Sequence, residues 1–252
     1  MSGHSKWATI KHKKAVQDAR RGRLFTRLLR EITIAARLGG GDPEGNPRLR
    51  TAIAAAKAAN VPQENIIRAI KRGTGELQDG GVLEEVMLEG YGPGGAAVLV
   101  LSATDNRNRT VAEIRHLFSR YGGNLAEQGS VAWLFDRKSH VLIAAEKTTE
   151  DDLMAAVLDV GVDDIRNTGS HWEVIAPPEQ HEAVVEALKA AGIEPDTAEV
   201  GWVPKNYVKL EGKNAAAMLK LSEALEDHDD VQNVYSNFDI DEQELAALMA
   251  SS

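Results

Sequence analysis

The chain of 252 residues has a formal net charge of −9 and contains no cysteine, which excludes disulfides, thiolate zinc sites, iron–sulfur clusters and a cysteine nucleophile. A hydrophobic content of 43% supports packed cores, and the length favours two or three domains. The apolar runs, such as Ala96–Leu101, are far shorter than the roughly 20 residues that a membrane span needs. No apolar signal segment follows Met1, so we expect a cytoplasmic protein.

Charge is divided sharply along the sequence. The segment Gly3–Gly73 contains 16 Lys and Arg but only 5 Asp and Glu, a local net charge of +11, so residues 74–252 carry −20. A basic module joined to an acidic remainder is typical of a protein that binds a polyanion, most often nucleic acid. The alternative, a merely solvated surface, explains poorly why acidic residues avoid this segment.

The basic segment begins with an arm and a helix. Residues 4–14 follow neither a helical nor a strand period, and we interpret them as an extended or partly helical cationic arm with one aromatic residue, Trp7. From Leu24 onward, apolar residues recur at four-residue spacing, which predicts a helix with a broad apolar stripe. The glycines Gly39–Gly41 end this helix.

Two shorter helices are predicted next. Asn46 is a suitable N-cap and Pro47 a suitable first helical residue, because the N–H that proline lacks would have no partner there. Pro62 starts a third helix, and Gly73 supplies its C-terminal cap. Three helices with tight turns form a small domain, whose last two helices resemble a helix-turn-helix only loosely.

Short strands and helices follow a polar, glycine-rich linker at residues 74–85. The strands expected first are Val86–Tyr91, Ala96–Ala103 and Val131–Phe135. Thr110 and Glu113 predict a capping box for the helix between the last two. Residues 137–204 then follow the order βαββαβ of a ferredoxin-like unit.

The strand at Tyr207–Leu210 and the elements after it lack a sheet of their own. Joined to the fragment before residue 137 they complete a second ferredoxin-like sheet, which avoids exposed strand edges. The predicted fold class is therefore multidomain α and α+β: an N-terminal three-helix domain followed by two ferredoxin-like α+β domains, one inserted in the other. The predicted bounds are 1–80 for the arm and helical domain, 81–136 plus 205–240 for the discontinuous domain, 137–204 for the insert and 241–252 for an acidic tail.

Seven stretches, highly specific as a set, cover the chain nearly end to end. They are Gly3–Lys14, Gly41–Arg50, Ile66–Gly73, Glu89–Gly95, Thr104–Thr110, Gly122–Leu125 and Gly129–Val131. Together they resemble the YebC family. The resemblance implies a bacterial transcriptional regulator that binds DNA; it also implies a link to translation, since a mitochondrial relative activates translation of a cytochrome oxidase subunit and bacterial members have been linked to the ribosome. The resemblance does not decide whether the bound nucleic acid is DNA or RNA.

The candidate contacts to nucleic acid are cations of the arm, the three helices and one later loop. They are Lys6, Lys11, Lys13, Lys14, Arg20, Arg21, Arg23, Arg27, Arg48, Arg50, Lys57, Arg68, Lys71, Arg72, Arg107 and Arg109. Contacts of this kind weaken with salt and position a protein without specifying a sequence. The loop Asp105–Arg109 places two guanidinium groups beside the free N–H groups of a helix start, which suits a phosphate. Its alternative is a turn that merely caps the helix.

Another strand alternates Lys205, Tyr207 and Lys209 on one face, which fits either a base-stacking surface or an ordinary exposed sheet face. The seven histidines form no ligand pair at zinc spacing, and no nucleophile elbow or Walker loop is present. The acidic run Glu226–Asp230 is interpreted as a solvated helix end rather than a metal site. We therefore predict no enzymatic activity, no cofactor and no metal.

The expected function is a nucleic-acid-binding regulator of gene expression, specifically a DNA-binding transcriptional regulator. The alternative is a ribosome-associated translation factor that binds ribosomal RNA, and a protein–protein adaptor is a third option. The expected partner is DNA or ribosomal RNA, with the ribosome as a further partner and no membrane. The expected oligomeric state is a monomer.

Overall fold

The computed structural model describes residues 17–77 and 81–250. Three helices come first: α1 at Gln17–Gly39, α2 at Pro47–Ala58 and α3 at Gln63–Thr74. Their core contains Ile32, Ala36, Leu49, Ala56 and Ile66, and α1 packs against both shorter helices. The predicted arm at residues 4–14 lies outside the described residues.

The start of α2 confirms the predicted cap. The side-chain oxygen of Asn46 accepts the backbone N–H of Leu49 at 3.1 Å, and its amide donates to the carbonyl of Ala35 at 2.8 Å, which fastens α2 to α1. The predicted cap at Gly73 is wrong, because α3 continues to Thr74 and is capped by Gly75 at φ 82°. Gly73 instead allows close helix packing, since a Cβ there would clash with the Thr33 carbonyl oxygen of α1.

The first sheet is antiparallel and has the order β3-β1-β2-β9. Its strands are β1 at Glu84–Tyr91, β2 at Ala97–Thr104, β3 at Asn124–Leu125 and β9 at Val231–Ser236. Helices α4 at Arg107–Arg120 and α7 at Gly212–Glu226 cover one face. Fully buried Phe118, Met218 and Leu221 lie in the core between them.

The predicted capping box of α4 is wrong. The helix begins at Arg107, four residues earlier than predicted, and its N-cap is Asn106, whose side-chain oxygen accepts the N–H of Arg109 at 3.1 Å. Thr110 lies within the first helical turns and is fully buried. Asparagine and threonine both have the side-chain oxygen that a cap requires, so sequence chemistry alone suited either position.

The strand predicted at Val131–Phe135 is also wrong. A 3-10 turn occupies Ala132–Leu134, and the next strand, β4, runs unbroken through Phe135–Ala144. That strand belongs to the second sheet and crosses the predicted domain boundary between residues 136 and 137. The division into domains at the bounds given above stays a prediction.

The second sheet is antiparallel, with the order β5-β6-β4-β7. After β4, its elements are α5 at Glu150–Val157, β5 at Asp164–Asn167, β6 at His171–Ala176, α6 at His181–Ala190 and β7 at Thr197–Pro204. Counted from β4 as the first strand, this is the 4-1-3-2 order of the ferredoxin-like unit. The predicted fold class is confirmed: three helices precede two antiparallel four-stranded sheets with helices.

The C-terminal segment, predicted as an acidic tail, contains regular structure. Strands β8 at Val208–Lys209 and β10 at Phe238–Asp239 form a separate parallel pair, and α8 spans Glu242–Ala250. Leu245 of α8 is fully buried in the core of the first sheet. None of the described helices is both long and apolar enough to cross a bilayer.

Candidate nucleic-acid interface

The predicted cations fall into three groups, of which the first is outside the region whose side chains are described. Lys6, Lys11, Lys13 and Lys14 lie outside the described residues, and Arg20 and Arg21 lie in α1, where only the backbone is described. The second group pairs with carboxylates of this chain. The third group lies on α2, α3 and the start of α4, and most of its members are exposed.

Arginines of the helical domain pair with carboxylates, several of them in the acidic remainder of the chain. Arg23 Nη1 lies 3.4 Å from Asp227 Oδ1 at the end of α7. Arg48 binds two carboxylates at once, with 2.7 Å from Nε to Glu31 Oε1 and 2.6 Å from Nη2 to Glu85 Oε1. Burial alone would lower the pKa of Arg48, but its hydrogen bonds to Glu85 and Glu31 raise it.

Two further arginines of the helical domain face the acidic body, one of them in an ion pair. Arg50 Nη2 lies 3.0 Å from Glu182 Oε1 of α6, so the helical domain touches the second sheet's layer of helices. Arg27 is half-buried, and burial lowers its pKa against the opposing effect of Glu226 and Asp227. The ion pairs of Arg23, Arg48 and Arg50 join the helical domain to the acidic body, which leaves these arginines less able to contact phosphate.

The predicted loop Asp105–Arg109 is tied into the fold through Asp230, which is buried. Arg109 Nη2 donates to Asp230 Oδ2 at 2.8 Å, and the Thr110 hydroxyl donates to the same oxygen at 2.7 Å. From α1, Arg30 Nη1 donates to Asp230 Oδ1 at 3.0 Å. The carboxylate therefore joins α1, α4 and the loop before β9, and Asp230 is no part of a solvated helix end.

A cleft of about 860 Å³ opens beside this network. Glu113, His228 and Asp230 place possible metal-ligand atoms within 4.8 Å of one another there. Both oxygens of Asp230 already accept from guanidinium groups, of Arg30 and Arg109, whose positive charges occupy the position that a cation would need. His228 Nε2 lies 2.9 Å from Glu113 Oε2. The cluster is thus organised as an ion-pair network between domains.

The third group of cations is exposed to solvent except for Arg72, which is half-buried. Lys71 and Arg72 lie in the last turn of α3, and Lys57 lies in the last turn of α2. None of these three forms an ion pair with any residue in the described part of the chain. On α3, Arg68 shares the exposed stripe of Lys71, because residues three and four apart lie on one helix face. Arg107 is exposed at the start of α4.

The predicted lysine and tyrosine strand does not form an open stacking face. Lys205 pairs with Asp136 at 3.0 Å and Lys209 pairs with Glu211 at 2.9 Å. Tyr207 is half-buried beside a small cavity of about 40 Å³ between the two sheets. The ordinary-surface interpretation of this strand therefore fits the structure better.

Two family models match the chain. Residues 5–76 match the TACO1/YebC protein N-terminal domain, and residues 83–238 match the TACO1/YebC second and third domain. The chain belongs to the TACO1/YebC family. The predicted family resemblance is thereby confirmed over nearly the whole length.

Relatives in this family share both sequence and fold with the chain. A "Probable transcriptional regulatory protein" of Solibacter usitatus is 67% identical over 98% of this chain and 99% of its own. One of Desulfatibacillum aliphaticivorans with the same name is 57% identical over 95% and 97%. The crystal structure of a conserved hypothetical protein from Aquifex aeolicus is 48% identical, with a TM-score of 0.85, over 94% of this chain and 98% of its own. The two relatives from Solibacter usitatus and Desulfatibacillum aliphaticivorans are thus named as probable transcriptional regulators.

Two residues central to this TACO1/YebC chain were not among the predicted site residues. Arg30 joins α1 to Asp230, and Glu89 holds the loop before β4. The carboxylate of Glu89 accepts N–H groups from Gly129, Val131 and Ala132. The only sequence signal was a charged residue inside an otherwise apolar strand, which does not reveal partners about 40 residues away.

Proposed function

We propose that this TACO1/YebC protein is a nucleic-acid-binding regulator of gene expression, and specifically a DNA-binding transcriptional regulator that contacts phosphates through α2 and α3. The observation that carries the proposal is that exposed Lys57 and Lys71 and half-buried Arg72 form no ion pair with the described residues, while neighbouring arginines do. An unpaired cation can replace a condensed counterion on DNA, and each such exchange favours binding. The names of the relatives support a role in transcription.

The side chains of α3 favour contacts to the backbone over reading of bases. Gln63 and Asn65 are the exposed amides of its first turn, and Glu64 lies between them. A carboxylate repels phosphate unless it meets a cytosine amino group, and two amides provide few of the bidentate contacts that specify a sequence. The last turn, by contrast, offers Lys71 and Arg72 to phosphates.

The same side chains of α3 support a second candidate function, a ribosome-associated translation factor that binds ribosomal RNA. Folded RNA presents phosphates to the same cations and is recognised largely by shape, without a recognition helix in a major groove. Weak base-reading capacity at Gln63 and Asn65 therefore suits RNA at least as well as an operator sequence.

We expect the full chain to bind its best duplex less than about 10³-fold more tightly than random duplex, the low end for specific DNA-binding proteins. Competition binding at fixed physiological salt would measure this ratio, with a structured ribosomal RNA fragment as a third competitor. A larger ratio that Gln63→Ala or Asn65→Ala abolishes would show operator reading instead. If the RNA fragment competes at least tenfold better than the best duplex, the ribosomal candidate replaces the transcriptional one.

A further inference from the structure

Two exposed aromatic side chains lie side by side next to the 3-10 turn before β4. Trp133 is 65% exposed and Tyr91, at the end of β1, is 36% exposed. The indole N–H of Trp133 and the hydroxyl of Tyr91 each donate to the backbone carbonyl of Ser130, both at 3.1 Å. One oxygen atom thus fixes the polar edges of both rings and leaves their remaining surface open to solvent.

The exposure of Trp133 is not explained by a lack of apolar space nearby. Its neighbours Val131 and Phe135 enter a buried cluster with Leu99 and Tyr235. The 3-10 turn Ala132–Leu134 turns Trp133 away from that cluster. An exposed indole costs free energy relative to burial, so a position that excludes it from an adjacent core points to a use at the surface.

The loop that carries Trp133 is rigidly held from below. Glu89 is buried, and its carboxylate accepts the N–H of Gly129 at 2.6 Å, Val131 at 2.7 Å and Ala132 at 2.8 Å. Binding a ligand on Trp133 therefore requires little ordering of the chain, which is the principal cost of using a loop as a binding surface.

The pairing of β3 with β1 places a polar residue beside the rings. Asn124 is exposed and pairs with Tyr91 across β3 and β1. Glu127 is exposed in the same loop as Trp133. The amide of an asparagine both donates and accepts hydrogen bonds, so a side chain of this type beside the rings suits the edge of a flat, uncharged base.

We propose that Trp133 and Tyr91 form a stacking platform for an unpaired nucleobase, supplied by RNA or by single-stranded DNA. The inference rests on the proposed nucleic-acid binding and adds a second contact to it. Phosphates would bind the cations of α2 and α3, and a base would stack on the indole face with Asn124 near its edge. Aromatic stacking of this kind tolerates any base, because every base has a π-face.

The test compares wild type with Trp133→Ala by fluorescence anisotropy of the full chain at fixed salt. The probes are labelled 12-nucleotide oligo(A) as RNA and as DNA, and a DNA duplex. We expect Trp133→Ala to weaken single-strand binding about tenfold, the effect of losing one stacked base, and to leave duplex binding within about twofold. Trp133→Phe should retain most of the affinity. Leu158→Ala removes another exposed apolar side chain, on the second sheet's side of the molecule. This control should change neither the single-strand nor the duplex affinity.

The outcomes separate the platform from the proposed function. If wild type binds single strands and Trp133→Ala binds them equally well, the platform is wrong while nucleic-acid binding stands. If wild type binds none of the probes, the proposed function fails and the platform fails with it. Exposed aromatic pairs also bind polyproline segments. A proline-rich peptide that binds wild type more tightly than the oligonucleotides do, and loses affinity in Trp133→Ala, would overturn the nucleobase assignment. A difference between the RNA and DNA arms would identify the source of the base.

Discussion

Replacing Asp230 by asparagine should lower the free energy of unfolding by about 2–4 kcal/mol. The buried carboxylate accepts from Arg30, Arg109 and Thr110, and an amide would turn an N–H group toward at least one of these donors. Breaking a buried ion pair from one side leaves the remaining charge uncompensated, although partial exposure of both arginines moderates the loss. Urea denaturation of wild type and Asp230→Asn would measure this change in the free energy of unfolding.

The adjacent substitution Asp229→Asn is the matched control. Asp229 is exposed, so its replacement should change the free energy of unfolding by no more than about 0.5 kcal/mol. Equal losses in the two variants would mean that general charge near α7, rather than the network at Asp230, stabilises the junction between the helical domain and the first sheet.

The stabilisation by Asp230 should disappear in acid. Burial would raise the pKa of Asp230, but hydrogen bonds from Arg109 and Thr110 and the charge of Arg30 lower it below its ordinary value of 3.8. A carboxyl group whose pKa is lowered by folding stabilises the protein above the unfolded pKa and loses that contribution as the pH falls through the folded pKa. The difference in free energy of unfolding between wild type and Asp230→Asn should therefore be full at pH 7 and shrink below about pH 4.

Replacing Glu89 by glutamine should lower the free energy of unfolding by about 2–4 kcal/mol and loosen the loop that carries Trp133. Three backbone N–H groups converge on the two carboxylate oxygens, and one of these oxygens would become an NH2 group facing a donor. Burial would raise the pKa of Glu89, but the three N–H groups lower it, so the group is a carboxylate at neutral pH.

Hydrogen exchange offers a local readout of the same substitution. We expect the amides of Gly129, Val131 and Ala132 to exchange faster in Glu89→Gln, since these are the donors that lose their acceptor. Glu127→Gln, an exposed carboxylate in the same loop, should leave their exchange unchanged. Unchanged exchange in Glu89→Gln would show that other contacts hold the loop.

The features that follow from local chemistry could be predicted from the sequence. The Asn46 cap depends only on residues three positions apart, and the ferredoxin-like order of the second sheet follows from the alternation of short strands and helices. The error at Val131–Phe135 arose because an apolar run fits a buried strand and a turn equally well. The cap was placed at Thr110 instead of Asn106 because both residues offer a suitable oxygen.

The sequence could not show which of the predicted phosphate-binding cations pair with carboxylates of the same chain. Arg50 pairs with Glu182, 132 residues away, and Arg30 with Asp230, 200 residues away, and nothing in the local pattern indicates such partners. The charge segregation predicted that the basic helical domain binds a polyanion, and this stays a prediction. It did not reveal that several arginines of this domain pair with carboxylates of the same chain.

The salt dependence of DNA binding tests the central claim most directly. The full chain is titrated against one duplex between about 50 and 200 mM salt, as wild type, as Lys71→Gln with Arg72→Gln, and as the control Lys189→Gln, an exposed cation on α6. The α3 variant should bind more weakly, with a slope of log K against log salt that is shallower by about 0.9 for each lost phosphate contact, while the control matches wild type. A wild-type slope near zero, or an α3 variant with the wild-type slope and affinity, would contradict phosphate binding by these helices.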